Sequence, residues 1–164
     1  MDNWANKPQV IKGTFAEEIV DNYLESRGYI VYSPKTEGAH AFDKLAIKGK
    51  EQVVIAECKA KARRNFYPDT GIDVRHYNEY KLIQNKHSIP VFIFFIDEMM
   101  AEVYGNSLNQ LTKPKEIKGL KYPLERNGII YFPLENMRHV CKLTEEQVRF
   151  LKGSSTRRYN YAEA

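Results

Sequence analysis

Cysteine is scarce in this chain: Cys58 and Cys141 are the only two among 164 residues. Two thiols cannot build a four-cysteine zinc or iron–sulfur site from this chain alone, so no iron–sulfur cluster is expected. They also make a poor disulfide scaffold and fit a reducing, intracellular setting. Long apolar runs are missing as well. No stretch approaches the ~20 residues of a membrane-spanning helix. Residues 1–8 lack the apolar segment of a secretory signal, so no membrane association is expected. Internal repeats and low-complexity tracts are absent. Neither sign of charge dominates: the formal net charge is +4, which permits a polyanionic partner without demanding one. What the chain does have is 43% hydrophobic residues, enough for a packed globule rather than a disordered segment. Its length suits one domain with its own core. We expect that domain over residues 1–152, with an insertion at 107–127 and a flexible tail over 153–164.

The hydrophobic pattern gives an order of elements. Residues 13–27 place Phe15, Ala16, Ile19, Val20, Tyr23 and Leu24 on one helical face, with Thr14 as a cap and Gly28 as the stop. A short strand over 29–33 ends at Pro34, and a polar turn follows over 35–40. Strands over 42–47 and 52–60, joined by Lys48-Gly49-Lys50, read as an antiparallel hairpin. Residues 61–71 form a loop broken by Pro68 and Gly71. A second helix over 73–87 is capped by Asp73, with Val74, Tyr77, Tyr80 and Ile83 as its inner stripe. Strands follow at 91–96, 102–104 and 129–132, around an irregular insertion at 107–127. Thr144 and Gln147 form a capping box for a last helix, with Leu143 stapled to Val148. The fold class is therefore α/β, a mixed central sheet flanked by helices. The step from residue 52 to residue 96 should be a right-handed parallel crossover.

Chemistry concentrates on that hairpin. Phe42-Asp43 precedes one apolar run, and Glu57-Cys58-Lys59 closes the next. Residues i and i+2 of a strand share a face, so Glu57 and Lys59 project together. Val53 to Ala56 are apolar on both faces, as in a doubly covered strand. Charges placed there are costly unless paired. A divalent cation and a phosphate would pair with them. Asp43 and Glu57 are the hard oxygen ligands that Mg²⁺ uses, with the Cys58 backbone carbonyl as a further ligand. Lys59 could orient a water or stabilise a pentavalent transition state. The plainer alternative is an ion pair of Lys59 with Glu57 or Asp43. Glu17 borders the apolar stripe of the first helix and can face this site, whereas Glu18 falls with Asp21 on the solvated face. Glu17 could instead only complete a capping box with Thr14.

These residues resemble the PD-(D/E)XK nuclease superfamily. Phe42 stands where the family name has proline, a frequent variation. Lys12-Gly13-Thr14-Phe15-Ala16-Glu17, followed by Gly28-Tyr29-Ile30-Val31, is similar to the opening of archaeal-type Holliday junction resolvases. The resemblance covers residues 12–96. It implies a restriction-endonuclease-like αβββαβ core. It implies metal ligation by Asp43 and Glu57, a catalytic lysine at Lys59 and a helix acid at Glu17. The implied activity is Mg²⁺-dependent hydrolysis of DNA phosphodiester bonds, with Mn²⁺ as a substitute ion, and structure-selective cleavage as in the resolvases. It also implies a homodimer on branched DNA, since paired cuts need two equivalent sites. The insertion and the second helix are the candidate interface elements. The alternatives are a restriction-type enzyme, an exonuclease, or a nucleic-acid-binding module that keeps the fold without the reaction.

Lys61, Arg63 and Arg64 lead into Phe66 and Tyr67 directly after the strand that carries Lys59. Basic residues there can hold phosphates, and the rings can stack on an unpaired base. A solvated loop with Phe66 in the core is the alternative. The insertion adds Lys113, Lys115 and Lys118, with Lys121 and Arg126 nearby, as a second candidate DNA-contacting arm. Arg157, Arg158, Tyr159 and Tyr161 in the tail form a weaker candidate. His40, close to Asp43, is assigned a turn hydrogen bond in preference to a metal role. Tyr77 and Tyr80 read as core, and Cys58 as a buried small hydrophobe pointing away from Glu57 and Lys59.

Overall fold

The computed structural model describes residues 4–35 and 41–154. His40 and the tail residues Arg157, Arg158, Tyr159 and Tyr161 lie outside those described residues. The first helix, α1 (Pro8–Ser26), begins earlier than its apolar pattern implies. A single 3₁₀ turn, Trp4–Asn6, leads into it. Pro8 occupies the first helical turn, where its fixed φ favours helix and its missing N–H costs nothing. Thr14 is therefore an exposed residue inside the helix, not its cap. The capping-box role for Glu17 is excluded with it.

Strands β1 (Ile30–Tyr32), β2 (Lys44–Lys48) and β3 (Gln52–Ala60) follow. The β2–β3 pair is the expected antiparallel hairpin, and Gly49 supplies the positive φ of its turn. Next come β4 (Asp69–Asp73), α2 (Val74–His87), β5 (Val91–Asp97) and β6 (Glu102–Ser107). The 107–127 segment is structured, not irregular: it holds α3 (Leu108–Leu111), β7 (Lys115–Ile117), β8 (Leu120–Tyr122) and β9 (Leu124–Arg126). Strands β10 (Ile129–Pro133) and β11 (Arg138–Lys142) and helix α4 (Glu145–Gly153) complete the fold. The capping box of Thr144 and Gln147 is formed at α4, and Asp73 caps α2 by accepting from the Arg75 N–H.

The main sheet runs β1-β2-β3-β5-β6-β11, parallel only between β3 and β5. Strand β10 does not join it. It pairs with β4 and β9 in a second, three-stranded sheet. Alternation along β5 sorts the two cores. Phe94 and Ile96 pack toward α1 and α4, with Ala16, Ile19, Val20, Leu24 and Leu151. Val91, Ile93 and Phe95 pack toward α2, α3 and the small sheet, with Tyr80, Leu111, Ile130 and Phe132. The result is a mixed α/β architecture with its sheet covered on both faces.

Candidate active site

Asp43 sits immediately before β2, and Glu57 and Lys59 lie near the end of β3. The hairpin register pairs Lys44 with Ala56, which brings Asp43 level with the Glu57–Cys58 peptide. Two hydrogen bonds lock the acids together. The Asp43 N–H donates to Glu57 Oε2 at 3.0 Å, and the Cys58 N–H donates to Asp43 Oδ2 at 2.9 Å. Lys59 Nζ lies 2.8 Å from Glu57 Oε1, so the ion pair weighed from the sequence is formed within the site. Glu57 is only 3% exposed. Buried Tyr80 of α2 donates its hydroxyl to the same Oε1 in a short hydrogen bond.

The electrostatics are unfavourable for a pair of acids alone. Burial, then the charge of Glu57, pushes the Asp43 carboxyl from 3.8 up to about 7. The Cys58 N–H, Lys59 and Glu17 enter as smaller effects, the first two lowering it and Glu17 raising it. Burial and the Glu57 carboxylate hold the Tyr80 phenol far above its ordinary range, so it stays a donor. Cys58 packs against the α1 side of the sheet, and burial followed by the nearby acids raises its thiol well above the usual value. It is no nucleophile, as its alternation with Glu57 and Lys59 implies.

Glu17 reaches the site through a neighbour. Its Oε2 lies 3.3 Å from Lys44 Nζ, and Asp21 Oδ2 lies 3.2 Å from the same nitrogen. Lys44 also donates to Ser33 Oγ at 2.8 Å. Burial opposes the Lys44 charge, but the hydrogen bonds and charges of Asp21 and Glu17 outweigh it and raise its pKa. The placement of Asp21 on the solvated face is thus corrected: α1 presents it, one turn from Glu17, to a buried lysine.

The solved structure of a Holliday junction resolvase from the archaeal hyperthermophile Archaeoglobus fulgidus superposes with a TM-score of 0.54. The match covers 76% of this chain and 90% of that one, at 11% sequence identity. The likeness shows a shared fold. No protein-family model and no curated protein sequence matches the chain. In the present chain the first helix and the β2–β3 hairpin bring Glu17, Asp43, Glu57 and Lys59 to one region.

The donor set fits a hard divalent cation. Two carboxylates held together through the Asp43 and Cys58 N–H groups, with Asp43 pushed up to about 7 by burial and then by the Glu57 charge, are what such an ion would relieve. Among the described residues no three His, Cys, Asp or Glu side chains group closely enough to hold a metal by themselves. Backbone carbonyl and water would have to complete the shell, as Mg²⁺ commonly accepts. Among those residues, too, no helix is long and apolar enough to cross a membrane.

The loop after β3 differs from a simple basic arm. Lys61 Nζ donates to the Gly71 carbonyl at 2.8 Å. Arg63 pairs with fully buried Asp97 at 3.1 Å and with the Tyr104 hydroxyl. Arg64 grips fully buried Asp69 through Nε and Nη2, at 2.6 and 2.5 Å. All three cations expected on phosphates are thus already engaged internally. Phe66 is 93% exposed, so the reading that buries it in the core is excluded. Tyr67 is partly exposed against Arg64. In the insertion, Lys113 and Lys118 are exposed, while Lys115 pairs with Glu135 at 2.5 Å. Sequence reasoning missed Tyr80 and Lys44 as site residues. Each carried a signal: an inward-facing tyrosine needs a partner for its hydroxyl, and a lysine on the buried parity of a strand needs an acid.

Proposed function

We propose that this protein is a metal-dependent endonuclease that hydrolyses phosphodiester bonds of DNA, with the structure selectivity of a junction resolvase. The observation that carries the reading is the locked Asp43–Glu57 pair with Lys59 beside it, on a resolvase fold. Asp43, Glu57 and the Cys58 carbonyl would hold Mg²⁺, or Mn²⁺ in its place. A bound ion would supply positive charge beside the scissile phosphate and acidify water there.

The chain's own groups have separate tasks. Lys59 is 24% exposed at its side chain, so its ammonium can donate to a phosphate oxygen or hold the attacking water while Glu57 fixes its position. Tyr80 keeps Glu57 in one rotamer. Lys44 holds Glu17 near Asp43 and spreads the negative charge of the region. Exposed Lys113 and Lys118 contact phosphates flanking the cut. A homodimer places two such sites on opposing strands of a junction.

Labelled four-way junction, flap, linear duplex, single strand and RNA, incubated with Mg²⁺, Mn²⁺ or EDTA, test the proposal. Metal-dependent nicking of branched DNA that is lost in Lys59→Ala is the expected result. No cleavage of any substrate by pure wild-type protein with either ion would refute it.

A further inference from the structure

Phe66 is the most exposed large hydrophobic side chain among the described residues, at 93%, ahead of Trp4 at 68% and Leu82 at 67%. A single exposed ring is ordinary on a protein surface. This one is held out by a built support. The Arg64 N–H donates to the Asp69 carbonyl at 3.0 Å and closes the neck of the loop. The Arg64 guanidinium binds both Asp69 carboxylate oxygens and lies between the rings of Tyr67 and Tyr131, at 4.0 and 3.8 Å from their centroids. Asp69 also accepts from the Tyr122 hydroxyl at 2.6 Å, which ties the loop to the insertion. Between the ends of this neck Asn65, Phe66 and Tyr67 are exposed, while the Pro68 carbonyl accepts from the Leu134 N–H at 2.8 Å. Beside them a groove of about 430 Å³ is lined by Lys61, Arg63, Asn65, Phe66 and Tyr131.

The support and the groove have one chemistry in common. Cations engaged by internal acids stiffen the loop, and planar rings face the opening. A flat, electron-rich group carried on a polyanion fits both: stacking gains area without base-specific hydrogen bonds. The loop begins two residues after Lys59, and seven residues from Lys59 to Phe66 reach at most ~25 Å, a span of a few nucleotides.

We propose that the 64–69 loop is a preformed stacking element for an unpaired nucleobase, with Phe66 as its contact. The substrate class is then DNA carrying unstacked bases close to the cut, and not continuous duplex. This rests on the nuclease reading for its site but not for its test. Because the loop is braced beforehand, little ordering entropy is lost on contact.

The test reads binding, with no cleavage, in the Asp43→Asn background in EDTA. Fluorescence anisotropy compares two gapped duplexes with the same phosphates, one with bases in the gap and one with abasic sites. Tighter binding to the base-containing gap is expected. Adding Phe66→Ala should weaken that complex by roughly 5- to 100-fold, leave the abasic one unchanged, and keep the salt slope. Phe66→Trp should restore the preference, and 2-aminopurine in the gap should be quenched by wild-type but not Ala protein. Equal affinity for both gaps would overturn the proposal. So would a Phe66→Ala defect that appears as dissociation of a dimer or as a lower melting temperature, because the ring would then serve a protein contact. If base preference is found while no cleavage occurs on any substrate, the stacking element stands and the nuclease reading fails.

Discussion

Asp43→Asn should stabilise the protein in the absence of metal, and by an amount that depends on pH. Asn keeps an oxygen to accept the Cys58 N–H and removes the charge that burial and Glu57 oppose. The folded carboxyl titrates at about 7 against an ordinary 3.8. Between those values the unfolded chain has lost a proton that the folded chain keeps, so wild-type stability falls as pH rises through that window and levels off above it. A shift of about three units corresponds to at most about 4 kcal/mol. For a chain of this size that is a melting-temperature gap of at most roughly 8–16 °C. Thermal melts of both proteins in EDTA should coincide near pH 4 and separate above pH 7, with the variant higher. Saturating Mg²⁺ should then raise the wild type and leave the variant nearly unmoved. If the two proteins melt together at pH 8 in EDTA, or differ equally at both pH values, the account of a strained acid pair is wrong.

Arg64→Ala should cost about 3 kcal/mol in urea denaturation, because it leaves the fully buried Asp69 carboxylate with the Tyr122 hydroxyl but no cation; a loss below about 0.5 kcal/mol would assign the arginine to the solvated surface instead. Tyr80→Phe removes a donor from Glu57 and should cost about 1–3 kcal/mol and lower the rate of cleavage without changing DNA affinity; unchanged stability and rate together would show that Lys59 and the Asp43 N–H suffice to position the acid. Gly105→Ala should prevent folding or destabilise severely, since its Cβ would lie 2.0 Å from the Ile93 carbonyl oxygen in the centre of the main sheet; a wild-type melting temperature would contradict that packing.

Elements with a strong local pattern were legible in the sequence, and those made by distant pairing were not. Strand β3 is bounded as expected because Val53 to Ala56 are apolar on both faces. Helix α4 is legible from Thr144 and Gln147, whose side chains cap it. Strand β2 starts at Lys44, not Phe42, because Asp43 turns its carboxylate to the Cys58 N–H and leaves the ladder. Strands β4 and β11 were invisible. Asp69-Thr70-Gly71-Ile72-Asp73 has little β propensity and owes its form to pairing with β10. Arg138 to Lys142 is a mostly polar edge strand with a register break between His139 and Cys141. In the site, the i, i+2 spacing and the hairpin were enough to bring Asp43, Glu57 and Lys59 together. Further partners come from other elements: Tyr80, inside the crossover on α2, bonds Glu57, and Glu17 on α1 adds its charge to the field at Asp43.

The crossover from β3 to β5 is not a bare helix. It contains β4, a strand of the three-stranded sheet, so the chain leaves Lys59, enters that small sheet, and returns along α2 past Tyr80 before rejoining beside β3. The small sheet is thereby spliced into the segment that links two contacts on the same carboxylate. Strand β4 thereby ties β10 to both ends of that segment, with the Arg64–Asp69 clasp at its start and the Asp73 cap of α2 at its end.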